Sequence, residues 1–391
     1  MNDAVKDYQI FAMTTDPVYI GTGGYTIGRV DNTIVRDPIT RVPKIPGSSL
    51  AGVWRYYTVL EIFSKINDEY KDIANRKNNN TYEDINKIFN NDNNSTWITD
   101  YENNKYIKLK CAGQDDEPNK TLEESKENKA GHCGYCLVCK GFGFSKKDIS
   151  WQGMLYFSDL NILFFPVFTR FGTKWITTDE ILNLYINGDS TESGNTNNTE
   201  VCIVLEKIEE REENGYINLG WIYLPYVVKS KSINLDEIKF GNFGLSSQDI
   251  VIVPENLFSQ IVNSNLEVRT SVSIDPITGA AKEGALFTSE AIPRGTILYG
   301  NIRIFDKNSF TGIDDKLAPL PTVRSLECAL KKSMHFFETL GIGGMTTRGF
   351  GRMKIQFREE IEEKECEEAP ASSGDAGSQN DLQENTNGGQ Q

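Results

Sequence analysis

Histidine is nearly absent from this chain: His132 and His335 are the only two in 391 residues. One sits in a cysteine motif and the other on a helical face, so acid–base chemistry by a histidine pair is excluded. Long apolar runs are missing as well. The longest, such as Ile162–Phe168, fall far short of the roughly 20 residues that a membrane-spanning helix needs. The opening stretch, Met1 to Ala12, is polar and carries Asp3 and Asp7, which argues against a signal peptide. Seven cysteines, an odd number with three of them clustered, do not make a secreted disulfide framework. These absences point to a cytoplasmic protein with no membrane partner, long enough to build its own core.

Net positive charge is lacking too. The formal charge is −14, which taken whole argues against a nucleic-acid partner. Its distribution changes that reading. Glu359 to Gln391 holds ten acidic residues and one lysine, so the tail carries −9 and the remaining body −5. Gly21 to Arg55 holds five basic residues against two acidic ones, and Gly341–Lys354 three basic and none acidic. Local cationic patches on a mildly acidic body suit a protein that touches a polyanion along one face.

Residues Asp7–Thr14 read as a first strand, feeding a long loop, Thr15–Gly47, rich in Gly, Pro, Thr and charge. A loop that long without periodicity is uncommon unless functional. Ser48 or Ser49 then caps a helix with Leu50, Val53, Tyr57 and Leu60 on one face. An Asn/Lys/Glu/Asp-rich insertion follows, and 67–150 with its cysteine cluster is read as one insertion into a single domain, 1–358. Trp151–Phe157 and Asn161–Phe168 read as strands, and Gly188–Asn198 as a polar break. Pro254–Val262 reads as a short helix. Leu266–Ile274 and Glu283–Ala291 flank the turn Asp275-Pro276-Ile277-Thr278-Gly279, which predicts a projecting hairpin within 264–300. Gly295–Phe305 is a strand and Thr322–Leu340 a helix ended by Gly341. Arg352–Phe357 is the last strand, and 359–391 reads as a disordered acidic tail. Strands and helices mix without regular βαβ alternation, which favours an α+β fold.

Two glycine-rich segments stand out. The first is Gly21-Thr22-Gly23-Gly24, followed by Arg29, Arg36 and Lys44 and closed by Pro46-Gly47-Ser48-Ser49 at a helix start, with Arg55 a few residues on. The second is Gly341-x-Gly343-Gly344-x-Thr346-Thr347-Arg348-Gly349-x-Gly351-Arg352. Glycines let backbone amides approach an anion, and a helix N-terminus presents unpaired N–H groups with a favourable dipole. Neither segment has P-loop spacing or the glycine spacing of a dinucleotide fold. Each alone is equally well a turn or a helix cap; two of them, each with arginines, point to backbone contacts with a nucleic acid.

His132-Cys133-x-x-Cys136-x-x-Cys139 places three thiols and an imidazole within eight residues. Tandem C-x-x-C spacing with soft sulfur ligands suits one tetrahedral zinc ion of structural kind, with Cys111 as the fourth ligand or His132 in its place. An iron–sulfur cluster competes, but no fourth Cys followed by Pro is present. Cys202, Cys328 and Cys366 are isolated.

At Gly21-Thr22-Gly23, Asp31, Arg36-Asp37-Pro38, Thr40 and Pro43-x-Ile45-Pro46-Gly47-Ser48-Ser49-Leu50-x-Gly52-x-x-Arg55 the chain resembles the RAMP superfamily of CRISPR proteins. Within it, the match is to the multicopy backbone subunit of type III effector complexes. The resemblance continues through Cys136-x-x-Cys139-x-x-Phe142-Gly143, Gly153–Asp159, Phe165-Pro166-Val167, Val268–Gly300 and Gly343-Gly344-x-x-Thr347-x-Gly349-x-Gly351. The stretch Phe164–Trp175 looks more like the Cmr (type III-B) branch than the Csm (type III-A) branch. The resemblance implies a modified ferredoxin-like (RRM-like) palm, a β-hairpin thumb at Val268–Ala291, a cysteine-rich zinc-binding insertion, and stacking of copies along a guide CRISPR RNA with other subunits of the complex. The glycine loops, Ser48 and Ser49 would hold guide phosphates, with Arg269 a further cation on the thumb.

The resemblance also implies that Asp31 is needed to cleave target RNA. RNA carries its own nucleophile, the 2′-hydroxyl, so an enzyme need only align it and manage charge. Asp31 would act as a base or hold Mg²⁺ or Mn²⁺, giving 2′,3′-cyclic phosphate ends. Asp37 is the backup, although Arg36 and Pro38 beside it fit a turn-fixing role. Two other readings stay open: a non-catalytic RNA-binding backbone subunit, and a metal–thiolate redox protein unrelated to RNA.

Overall fold

The structure is a computed structural model. It describes residues 4–23, 30–73, 111–113, 132, 134, 136–145, 150–185, 201–206, 214–231, 233–310 and 320–358. Most of the 67–150 insertion, the polar break at 188–198, the acidic tail from 359, Arg29, Cys133 and Cys366 lie outside them.

The centre is an eleven-stranded mixed sheet. Its path runs Met353–Phe357, Val5–Thr14, Ile297–Phe305, Leu160–Thr169, Gly172–Thr177, Ile250–Ile252, Cys202–Val204, Ile222–Val228, Asn214–Leu219. Neighbours among the first four are antiparallel, with Val5 opposite Phe305 and Ile10 opposite both Gly300 and Phe357. Successive side chains of a strand point to opposite faces. Ile10 and Ala12 therefore enter one core, while Phe11 and Met13 enter the other. A sheet covered on both faces needs apolar residues at every position, which is why Leu160–Thr169 reads as a continuous apolar run.

One face is covered by two helices, Gly47–Ile73 and Val323–Ser333. The first presents Leu50, Trp54 and Tyr57 to the core, all buried at helical spacing. Trp54 is fully buried, packs edge-on against Phe337 at 5.2 Å, and donates its indole N–H to Leu330 O and Ser333 Oγ. The helix begins at Gly47, whose N–H is taken by Asp159 Oδ1 at 2.8 Å. Ser48 and Ser49 thus stand in its first turn rather than at the cap, and the capping carboxylate comes from elsewhere in the chain. The predicted helix at 322–340 divides, with Val323–Ser333 followed by His335–Thr339 and Gly341 beyond at φ +78°.

Glu267–Ile274 and Ala281–Ala291 form a separate two-stranded hairpin closed by the Asp275–Gly279 turn, where Asp275 Oδ1 accepts from Ile277 and Thr278 N–H. It projects with Val268, Val272, Ile274, Ile277 and Leu286 exposed. Among the isolated cysteines, Cys202 is a buried free thiol, whereas Cys328 is disulfide-bonded and is not the lone thiol that its sequence context implies.

Candidate functional site

The two glycine segments, far apart in sequence, meet in space at Tyr19. Gly344 donates its N–H to Tyr19 O at 3.0 Å, Gly351 donates to Pro17 O at 2.8 Å, and Arg352 O receives the N–H groups of Thr15 and Asp16. Gly343 has φ +85°, and a Cβ there would lie 2.2 Å from Tyr19 O. The approach of one loop to the other therefore requires glycine. Tyr57, on the helix that closes the first segment, donates its hydroxyl to Gly341 O and ties that helix to the start of the second. One surface results, built from both segments. Gly21, Gly23 and Gly343 are exposed on it, as are Ser48, Thr347 and Arg348; Ser49, Gly344 and Gly349 are half-buried. The Gly344 amide, spent on Tyr19, cannot face an anion.

The root of the hairpin is laced to the first loop beside this surface. Asn32 donates its N–H to Thr288 O and its carbonyl oxygen accepts from Glu290 N–H, both at 3.0 Å, while Asn32 Nδ2 donates to Ser289 Oγ at 3.2 Å. Asp31 is the residue this lacing positions. Its Oδ2 accepts from Thr288 N–H at 2.7 Å and from the Thr288 hydroxyl at 2.9 Å. These bonds, the backbone one first, hold the Asp31 carboxyl below the usual carboxylate range, so it is ionised at neutral pH and open to solvent. A carboxylate so stabilised is a weak proton acceptor and is better suited to holding a cation or fixing an orientation. Asp37 does the turn-fixing work: its Oδ1 takes Ile39 and Thr40 N–H at 2.9 Å each, which brings its pKa down to about 2.

Several residues expected to contact phosphate have their charges engaged inside the protein. Arg36 donates Nε to Asn263 at 2.8 Å, Nη1 to Ile34 O and Nη2 to Glu290 at 2.7 Å. Lys44 sits between Asp159 at 2.7 Å and Asp37 at 3.3 Å. Arg55 is only 8 % exposed and serves the cysteine cluster described below. Arg269 pairs with Glu267 at 2.6 Å, donates to Gly349 O at 3.1 Å and stacks on Phe350, so it fastens the first hairpin strand to the second glycine segment. Arg352 pairs with Asp16 and stays half exposed. Arg348 is exposed on the single turn Thr346–Arg348. Arg29 lies outside the described residues. Thr288, Asn263, Glu290 and Tyr19 carry no local sequence signal, since each acts on a segment far away in the chain.

Cys111, Cys136 and Cys139 come together, fully buried, with their sulfurs within 4.8 Å of one another. Cys139 N–H donates to Cys136 Sγ at 3.3 Å. Cys133, from the same motif, lies outside the described residues. His132 is buried with Nδ1 3.9 Å from Cys139 Sγ, but that nitrogen is also 2.9 Å from Arg55 Nη2, which can only donate to it. Arg55 bridges the whole cluster: Nε to Cys111 O at 2.8 Å, Nη1 to Gly143 O at 2.6 Å and Nη2 to Cys139 Sγ at 3.8 Å. Three converging soft donors beside a buried cation fit a single metal ion of the zinc class.

The chain is similar, at 23% identity over 91% of its length and 97% of the relative's, to a curated protein described as CRISPR system Cmr endoribonuclease Cmr4 from Pyrococcus furiosus. Among solved structures, a type III-B Cmr-beta complex in its apo state contains a chain matching 90% of this one and 96% of its own length, at 13% identity and TM-score 0.48. Oligomeric Cmr4 from Pyrococcus furiosus matches at 17% identity and TM-score 0.44, covering 91% of this chain and 100% of that one. A family model described as the RAMP superfamily matches residues 11–354, a span that takes in both glycine segments, Asp31, the cysteine cluster and the hairpin. The chain belongs to the RAMP superfamily.

Proposed function

We propose that this chain is a repeated backbone subunit of a Cmr-type (type III-B) CRISPR effector complex, binding guide RNA along its phosphates and cutting complementary target RNA as a divalent-metal-dependent endoribonuclease. The observation that carries this reading is the convergence of both glycine segments at Tyr19 beside an exposed, ionised Asp31 at the root of a projecting apolar hairpin. The near full-length likeness to a protein named an endoribonuclease supports it. The four antiparallel strands and two covering helices are the modified ferredoxin-like palm. The hairpin, whose exposed Ile274, Ile277 and Leu286 can wedge between bases, is the thumb.

In this reading Gly21, Gly23, Gly343, Thr347, Arg348, Gly349 and the first turn at Ser48 and Ser49 receive guide phosphates, with Arg352 at the margin. Asp31 faces the target strand. The 2′-oxygen attacks the adjacent phosphorus, the P–O5′ bond breaks, the 2′-hydroxyl proton passes to solvent and O5′ leaves protonated. The products are a 2′,3′-cyclic phosphate and a 5′-hydroxyl. A magnesium or manganese ion would neutralise the charge that builds on the phosphate. Among the described residues Asp31 belongs to no group of three or more ligating side chains. The protein would thus supply one or two ligands and the RNA and water the others, as is usual for magnesium. Zinc would be held by Cys111, Cys133, Cys136 and Cys139, with His132 as the alternative ligand, and would have a structural role. Guide RNA, target RNA, copies of itself and companion subunits are the partners, in the cytoplasm. No helix among the described residues is long and apolar enough to cross a membrane.

The test is the complex assembled with a guide of known sequence. It is expected to cut a matched RNA at regularly spaced positions with Mg²⁺ or Mn²⁺, to leave cyclic phosphate ends, and to stop in EDTA. Intact target after prolonged incubation with either ion would favour a purely structural backbone subunit.

A further inference from the structure

Asp31 cannot hold its own orientation. It lies in a loop and is exposed, and among the described residues the side chain and backbone that hold its Oδ2 from outside belong to Thr288. Both bonds to Oδ2 come from Thr288, on the hairpin strand Ala281–Ala291, and the Asp31 N–H returns a third to Thr288 Oγ1 at 3.1 Å. The next residues reinforce the attachment in register. Asn32 bridges Ser289, and Arg36 closes on Glu290. Three successive hairpin residues, Thr288, Ser289 and Glu290, thus together hold Asp31, Asn32 and Arg36 of the loop. The opposite hairpin strand is fixed as well, through Arg269 on Gly349 O.

We propose that Thr288 is the positioning residue for Asp31, so that the hairpin that would enter the guide–target duplex is also the element that aims the cleaving carboxylate. This rests on the reading of Asp31 given above. Thr288 uses two groups for two jobs. Its backbone N–H anchors Oδ2 whatever the side chain, and its hydroxyl sets the rotation of the carboxylate by donating to Oδ2 while accepting from Asp31 N–H. Oδ1 takes no part in these two bonds to Thr288. A rotated carboxylate would still be ionised and the loop still bound, but its free oxygen would point elsewhere, and misplacement on that scale is costly to an aligned reaction.

The assembled complex with its guide RNA tests this, through single-turnover cleavage at saturating target together with target affinity and the melting temperature. Thr288→Val, similar in shape but without the hydroxyl, is expected to slow cleavage about ten-fold, the usual worth of a hydrogen bond to a charged group. Affinity and melting temperature should not move. Thr288→Ser, which keeps the hydroxyl, should restore the rate. In an Asp31→Ala background Thr288→Val should have no further effect, because the residue acts only through that carboxylate. Wild-type cleavage by Thr288→Val alongside an inactive Asp31→Ala would overturn this inference and leave the reading of the site intact. So would a loss that follows affinity or melting temperature and is not restored by serine. Wild-type cleavage by Asp31→Ala would instead remove the reading on which the inference rests.

Discussion

Gly23 and Gly343 have nearly the same backbone, at φ +77° and +85°, but different surroundings. Nothing lies within 4 Å of the position a Cβ would take on Gly23, whereas on Gly343 it would sit 2.2 Å from Tyr19 O. Gly23→Ala should therefore cost only the left-handed strain, about 1–2 kcal/mol. Gly343→Ala should cost that plus the separation of the two loops, roughly twice as much or more. Denaturant unfolding of the two variants checks the difference, and equal losses would contradict the role given to the contact. At this scale the sequence was readable where the partner was local. Asp37, between Arg36 and Pro38, fixes a turn through amides two and three residues away. It was unreadable where the partner was remote. Arg36 looks like a phosphate ligand because nothing nearby reveals that Asn263 and Glu290 neutralise and orient it. Arg55 looks like one for the same reason.

Arg55 also shows how one element serves two sites. The helix Gly47–Ile73 starts at the glycine surface with Ser48 and Ser49, donates Tyr57 to the second glycine segment, and sends Arg55 into the cysteine cluster. Losing the metal would leave Arg55 buried against thiols no longer fixed in place, and the end of the helix that faces the phosphates would loosen. Removing zinc with a strong chelator should release about one equivalent per chain and lower the melting temperature by several degrees, corresponding to about 2 kcal/mol or more. Cys136→Ala should behave like the stripped protein without chelator. A melting curve unchanged by complete metal removal would contradict a structural ion. Element boundaries followed the strength of local signals. The hairpin was legible from its Asp-Pro-Ile-Thr-Gly turn, and the sheet strands from their apolar runs. The sequence reads 322–340 as one helix because nothing in Met334 marks a break; beyond that residue Phe337 packs against Trp54 and Tyr57.

Across the whole molecule, the −14 charge is the feature that sequence composition makes hardest to reconcile with RNA. The structure narrows the cationic surface further, since Arg36, Lys44, Arg55 and Arg269 are all engaged internally. Among the described basic residues of the two segments, Arg41, Arg348 and the half-exposed Arg352 remain beside exposed backbone, which fits a subunit that grips a strand weakly and in many copies, each neighbour extending the groove. Such a subunit contributes affinity through repetition and chemistry through one residue. The central claim therefore concentrates on Asp31. The direct measurement compares wild-type and Asp31→Ala complexes, each loaded with guide RNA, for binding and for cutting of the same matched target in Mg²⁺. The account predicts unchanged target affinity with cleavage reduced by at least about 100-fold, the scale of a lost general acid–base or charge-stabilising group. Cleavage by the variant at the wild-type rate would contradict it.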